Sequence, residues 1–166
     1  MSSLQGKTIG FGLSGSHCTF EETMPQIKRF VDAGARVIPI VSNTIMTTDT
    51  RFGTSQSWQQ QIKDLTGEEL ISTIPQAEPL GPSKLLDVML IAPCTGSSTS
   101  RLANAITDSA VLMAAKATMR NLRPLVIAIS TNDGLGLNAA NIAKLLAAKN
   151  IYFVPFGQDA PDKKPN

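Results

Sequence analysis

Five apolar runs of strand length, each separated from the next by a stretch of helical period, narrow this chain to one class of architecture. The runs are Lys7 to Gly12, Arg36 to Val41, Asp87 to Ala92, Pro124 to Ser130 and Ile151 to Pro155. Alternation of this kind is the pattern of βαβ units, so the sequence predicts an α/β fold: a doubly wound parallel sheet between two layers of helices, Rossmann-like in outline. The first helix carries the clearest boundaries. Thr19 and Glu22 have capping-box spacing, Ile27, Phe30 and Val31 form an apolar face, and Gly34 follows as a stop. A second helix is expected from about Ser55 to Gly67, with Trp58, Ile62 and Leu65 on one side. Pro75, Pro79, Gly81 and Pro82 predict an irregular stretch from Ile71 to Pro82. One bent helix or two helices cover Ser98 to Arg120, and a last helix covers Asn138 to Lys149. The pattern predicts a single domain over 1–157, followed by a polar tail over 158–166.

Composition bounds what such a domain can do. At 166 residues it can bury a core without disulfides or metals. With 42% hydrophobic and 17% charged residues, some apolar surface is expected to be covered by a partner subunit. A net charge of +2 is too small to argue for nucleic acid or an anionic membrane. Cys18 and Cys94 follow no metal-ligand spacing and fit a reducing cytoplasm, so no metal site is expected. The residues before Ile9 contain no apolar run, so neither a signal peptide nor a membrane span is expected.

Chemistry concentrates where strands end. After Leu90-Ile91-Ala92 the chain breaks at Pro93 into Cys94-Thr95-Gly96-Ser97-Ser98, which reads as a strand ending at the proline and a helix starting among hydroxyls. Amides and hydroxyls at a helix start suit an anion, although a plain capped strand-to-helix turn has the same composition. The first strand runs into Gly10-Phe11-Gly12-Leu13-Ser14-Gly15, which fits the dinucleotide pattern G-x-G-x-x-G. Two features oppose NAD at that position. The second strand ends Val41-Ser42-Asn43 without an acidic residue, and the cap at Thr19 starts the helix several residues late. What remains is a glycine- and hydroxyl-rich loop from Gly12 to Ser16; alternatively, Gly10 and Gly12 only relieve crowding beside the strand.

The segment from Ala92 to Asp108 resembles the motif Ala-Pro-x-Ser/Thr-x-Asn-Ser/Thr-x-x-Lys-x-Ala-x-Gly-x-x-Asp of the homo-oligomeric flavin-containing Cys decarboxylases, flavoproteins that include phosphopantothenoylcysteine decarboxylases and flavin prenyltransferases. The resemblance covers Lys7 to Pro155 and implies FMN as cofactor, a trimer or a multiple of it, and a cofactor site built from Gly12, Ser14, Gly15, Ser16, Ser42, Pro93, Thr95, Gly96, Ser97 and Ser98. Ser42 is similar to the hydroxyl that the second strand hands to the FMN phosphate in that family. Three positions depart from the motif: its Asn is Ser97, its Lys is Arg101 and its later Gly is Ala105. The decarboxylases also resemble one another in a His upstream of the third strand, where this chain has Glu78-Pro79, and in a Pro-x-Met-Asn motif that survives here only as Asn132 in Ile129-Ser130-Thr131-Asn132. The sole histidine, His17, lies in the first loop.

Gly12 to Thr19, Thr48 to Gly53, Ala77 to Pro82, Ser130 to Asp133 and Val154 to Asp159 resemble a narrower, dipicolinate-forming branch of the family. That likeness implies a flavoprotein-type component which, with a dehydrogenase-like A-type subunit, oxidises a dihydrodipicolinate precursor in the mother-cell cytoplasm of sporulating bacteria. NADP would then come with the partner. Members of the branch continue past the position of Asn166, so a further segment is expected to contribute contacts. A small dicarboxylate needs a cation, for which Arg51 is the candidate; the alternative is an exposed arginine paired with Asp49. Glu78 or His17 would accept the proton released as the ring aromatises, unless His17 only orients its loop. Two other classes stay open: a self-sufficient decarboxylase or prenyltransferase, and a scaffold that has lost flavin and only organises the dehydrogenase-like partner.

Overall fold

A computed structural model describes residues 3–158. The five strands are β1 (Thr8–Leu13), β2 (Arg36–Val41), β3 (Val88–Thr95), β4 (Leu125–Ser130) and β5 (Ile151–Phe153). They form one sheet in the order β2-β1-β3-β4-β5, and every neighbouring pair is parallel. The helices are α1 (Phe20–Asp32), α2 (Asn43–Thr47), α3 (Ser55–Thr66), α4 (Ile74–Ala77), α5 (Leu80–Ser83), α6 (Gly96–Ala103), α7 (Ala110–Arg120) and α8 (Asn138–Leu146). Among the described residues no helix is long and apolar enough to cross a membrane. The expected tail, apart from Gln158, lies outside the described residues.

Strand alternation divides the core between the two sheet faces. Ile9, Phe11 and Leu13 of β1 and Val37 and Val41 of β2 join Phe20, Ile27, Ile45, Trp58 and Ile62 under α1, α2 and α3. On the other face Ile38, Ile40, Met89, Ile91, Leu125 and Ile127 meet α4, α5, α7 and Leu145 of α8. This is the predicted three-layer arrangement. It also explains two glycines of the apparent fingerprint. A Cβ on Gly10 would lie 2.6 Å from Leu86 Cδ1, and one on Gly12 would lie 3.0 Å from Met89 Cε and 3.1 Å from Val111 Cγ1. Both sit within β1, facing α7 and its neighbours, so the crowding reading holds and Gly12 is corrected from cofactor loop to core.

Three further expectations are corrected. The strand does not stop at Pro93: β3 continues to Thr95, with a register shift between Ile91 and Cys94 and a cis Ala92-Pro93 peptide. Backbone and side chain of Ser14 together carry the sheet past the proline, the Ser14 amide donating to Pro93 O at 3.2 Å. Ser14 Oγ donates to Pro93 O at 2.7 Å and accepts from Thr95 N at 2.9 Å, joining β1 to β3 past the break. The capping box at Thr19 does not form, because a short 3₁₀ turn over His17–Thr19 precedes α1 and Thr19 Oγ1 donates to Ser16 O at 2.9 Å. Ile71 to Pro82 is not irregular throughout. Thr73 and Gln76 form a reciprocal capping box, and Pro75, in the first turn of α4, needs no donor there.

Candidate functional site

Strand order fixes the place of the site. Connections leave β1 toward β2 on one side and β3 toward β4 on the other, so the carboxyl ends of β1 and β3 open a crevice where α/β sheets bind ligands. The turn from Ser14 to Ser16 borders one side, and the start of α6 borders the other. Ser16 Oγ lies 2.8 Å from Ser130 Oγ at the end of β4 and 3.6 Å from Cys18 Sγ.

The wall between β3 and β4 is hydrogen-bonded from within. Thr95 caps α6, its Oγ1 accepting from Ser98 N at 3.2 Å and donating to Ser98 Oγ at 3.1 Å. Thr99 Oγ1 donates to Thr95 O at 3.0 Å and lies 3.5 Å from Cys94 Sγ; burial pushes the Cys94 thiol up to about 11. Asp133 Oδ1 accepts from Thr131 Oγ1 at 2.7 Å and from Asn138 Nδ2 at 2.8 Å. Those bonds, Thr131's first, hold its carboxyl below the usual carboxylate range. The cluster presses on Gly96, where a Cβ would meet Thr131 Oγ1 at 2.6 Å and Asn138 Nδ2 at 2.7 Å. Only glycine lets the helix start approach so closely. The first-turn amides of Gly96 and Ser97 have no carbonyl a turn earlier to bond, and Ser97 is exposed at the helix start.

The wall between β1 and β2 differs. Among the described residues four side-chain polar atoms are buried without a partner: His17 Nδ1 and Nε2, Ser42 Oγ and Trp58 Nε1. An unsatisfied buried group costs about 1–3 kcal/mol. Ser42 follows β2, and its amide donates to Leu13 O at 2.9 Å. A Cβ on Gly15 would lie 2.9 Å from Thr44 Cγ2, so the first turn rests on the residues just after Ser42. His17 lies against Phe20, with ring centroids 4.9 Å apart, and Phe20 meets Trp58 edge-on at 5.2 Å. The turn over Thr50 to Gly53 covers the indole nitrogen, since a Cβ on Gly53 would lie 2.7 Å from Trp58 Nε1.

The sequence-derived residues therefore divide. Gly15, Ser16, Ser42, Thr95, Gly96, Ser97 and Ser98 border the crevice end of the sheet. Ser14, only 2% exposed, and the buried Pro93 frame it through their mutual hydrogen bonds, leaving the Ser14 hydroxyl committed to backbone. Asn132 is exposed just past β4. Arg51 is exposed with its guanidinium 4.8 Å from the Phe52 ring centroid. The pairing with Asp49 is absent, for Asp49 Oδ1 accepts from Ser55 N at 2.7 Å. Glu78 is corrected. It lines a cleft with Lys84, Arg120 and Asn121, where α7 ends and the chain turns to enter β4, at the opposite end of the sheet. Thr44, Ser130, Thr131, Asp133 and Asn138 were missed as site residues; small polar residues just after β2 and β4 were the available signal. Among the described residues no three His, Cys, Asp or Glu side chains gather as metal ligands.

Donors dominate this crevice. A buried serine hydroxyl without a partner, first-turn amides that lack an intrahelical acceptor and a serine-bearing turn fit a phosphate ester, which offers only acceptors. The fold and site define a class, and comparison names it: the chain belongs to the Flavoprotein family, whose sequence model matches residues 1–161. Among individual proteins, it is 61% identical over 166 residues to the B-type subunit of dipicolinate synthase from Bacillus subtilis (strain 168), covering 100% of this chain and 83% of that one. The crystal structure of the B-type subunit of dipicolinate synthase from Bacillus halodurans is 57% identical and matches with a TM-score of 0.90 over 99% of this chain and 84% of that one. DmrB of Burkholderia xenovorans in complex with FMN, a cubic protein cage for redox transfer, shares the fold with a TM-score of 0.73 at 12% identity, over 96% of this chain and 92% of that one.

Proposed function

We propose that this chain binds FMN and acts as the flavin-bearing, B-type subunit of a dipicolinate-forming oxidoreductase, in concert with the dehydrogenase-like A-type subunit of dipicolinate synthase. The observation that carries the cofactor half is the buried, unpartnered Ser42 hydroxyl beside the Gly15-Ser16 turn at the ligand end of the sheet. Likeness over the whole chain to the B-type subunit of dipicolinate synthase supports the reaction.

Ser42, Gly15 and Ser16 would hold the phosphate, and Thr95, Gly96, Ser97 and Ser98 would line the β3 side of the cofactor. FMN, when bound, supplies a two-electron acceptor for the ring that aromatises. Oxidation of a dihydropyridine also releases a proton, and with Glu78 at the far end of the sheet, His17 is the chain's own candidate to receive it. Its imidazole, lowered in pKa by burial, is neutral near pH 7 and able to accept. Asn132, exposed at the end of β4, provides an amide to orient a substrate carboxylate. Arg51, without a carboxylate partner among the described residues, supplies the cation for the other. NADP, as final acceptor, is assigned to the partner subunit. The exposed Leu135, Leu137, Leu146, Tyr152 and Phe156 support assembly into a homo-oligomer, a trimer or a multiple of it. The site of action is the mother-cell cytoplasm of a sporulating bacterium.

The test is direct. Purified chain is expected to carry a yellow, flavin-type visible spectrum. Mixing it with the dihydro precursor and the A-type partner is expected to produce dipicolinate faster than that partner does alone. A colourless protein that takes up no added FMN, or equal rates with and without this chain, contradicts the proposal.

A further inference from the structure

One residue at the crevice is buried in a form that the chain alone leaves incomplete. His17 is 7% exposed, and neither ring nitrogen has a hydrogen-bond partner. Neutral imidazole carries one donor and one acceptor, so both capacities are unused. The other buried side chains of comparable polarity, Ser14, Thr23, Thr99, Thr118 and Asn138, all have partners within the chain.

His17 is also close to the second incomplete residue. It follows Gly15 by two positions, Thr44 follows Ser42 by two, and Gly15 and Thr44 are in contact across the β1 and β2 ends. Three of the four unpartnered buried polar atoms therefore belong to two residues on abutting turns. Charge in the surroundings is low. Cys18 is exposed beside it, Glu21 and Glu22 are exposed in the first turn of α1, Phe20 and Trp58 contribute rings, and α2 has no ionisable side chain. Among the described residues no ion pair reaches His17, and burial alone lowers its pKa.

We propose that His17 is a cofactor-binding residue: its imidazole completes its hydrogen bonding on the phosphate end of the bound FMN and takes up a proton from solvent as that anion arrives. The inference rests on the FMN reading above and adds a residue and a proton to it. A dianion beside a neutral imidazole favours the imidazolium, so the bound form holds a proton that the free form lacks. Affinity contributed by His17 consequently rises as pH falls. An imidazolium held on the phosphate end is neither neutral nor beside the reacting ring, so this binding role takes the place of the proton-accepting role named above: His17 binds the cofactor, and pH acts on the site through that binding equilibrium.

FMN titrations of the intact protein by flavin fluorescence, between about pH 8 and about pH 6, test this for wild type, His17→Gln and His17→Phe, with riboflavin as the ligand lacking phosphate. Gln keeps a donor and an acceptor but cannot be protonated, and Phe preserves the ring packing on Phe20 with neither. The phosphate itself titrates near pH 6, so the ratio of wild-type to variant affinity is the quantity that matters. That ratio is expected to grow by about five- to tenfold on acidification for FMN and to stay flat for riboflavin, with His17→Phe binding FMN weakest of the three proteins. Parallel pH profiles for wild type and both variants, or His17→Phe binding FMN as tightly as wild type, would overturn the role of His17 and leave the FMN reading standing. Failure of wild type to bind FMN at any pH would instead remove the FMN reading.

Discussion

The two walls of the crevice are made from similar residues and differ in who completes them. Around β3, from the end of β1 across to β4, hydroxyls and amides satisfy one another: Ser14 bridges Pro93 and Thr95, Thr95 caps α6, and Asp133 gathers Thr131 and Asn138. Between β1 and β2, Ser42 and His17 keep buried polar atoms with no partner among the described residues. The first wall is part of the fold's stability. The second carries an energetic penalty that a ligand can remove, which is how a binding site is distinguished from a capped turn of the same composition.

Alanine at one serine from each wall gives opposite results if this contrast holds. Ser14→Ala removes the acceptor of the Thr95 amide and is expected to destabilise the flavin-free protein by about 2 kcal/mol, a fall of roughly 4–8 °C in melting temperature at fixed protomer concentration. Ser42→Ala removes an unsatisfied group, so the flavin-free protein is expected to lose no stability and to gain up to about 1–3 kcal/mol. Its FMN affinity is expected to fall about tenfold, or ~1.4 kcal/mol, as read by equilibrium titration. Equal destabilisation by the two substitutions would erase the distinction between the walls. Arg51 offers a smaller effect on the same side. Because the guanidinium is exposed, Arg51→Ala is expected to weaken binding of a pyridine dicarboxylate about fivefold, ~1 kcal/mol, while leaving a neutral pyridine unchanged. Calorimetric titration of both ligands checks it, and equal losses for both would make Arg51 a surface residue only.

Ala105 sharpens the comparison from the stable wall. It closes α6 at φ +58°, with Ala105 N donating to Leu102 O at 3.1 Å and Ile106 N to Arg101 O at 2.9 Å. The family motif has glycine there, and the Cβ of alanine is disfavoured in the left-handed region. Ala105→Gly is therefore expected to stabilise the protein by about 0.5–1 kcal/mol, read by denaturant unfolding. No gain would mean that the turn has relaxed to accept the side chain.

Much of the fold is legible because hydrophobic period is local. All five strands lie where apolar runs stand, and α1 and α3 present Ile27, Trp58 and Ile62 to one core. What is not legible depends on neighbours distant in sequence. Pro93 reads as a strand end until Ser14, 79 residues away, supplies the missing connection. Thr19 reads as a capping residue until the turn at Ser16 claims its hydroxyl. Glu78 reads as a crevice residue from its place before β3, yet the chain between β2 and β3 carries it to the other end of the sheet. Serines and glycines of the crevice are visible as punctuation after strands, but sequence does not separate Ser14, which holds the wall together, from Ser42, which holds nothing. That distinction is a matter of partners, and partners are set by the tertiary structure.

Paired titrations of the wild-type chain with FMN and riboflavin measure the central claim most directly, because the two ligands differ only in the phosphate. If the β1–β2 wall is completed by that group, FMN binds at least about tenfold more tightly than riboflavin, a difference of ~1.4 kcal/mol or more. Equal affinities for the two flavins would contradict the account, since the unpartnered atoms of Ser42 and His17 would then have no part in holding the cofactor.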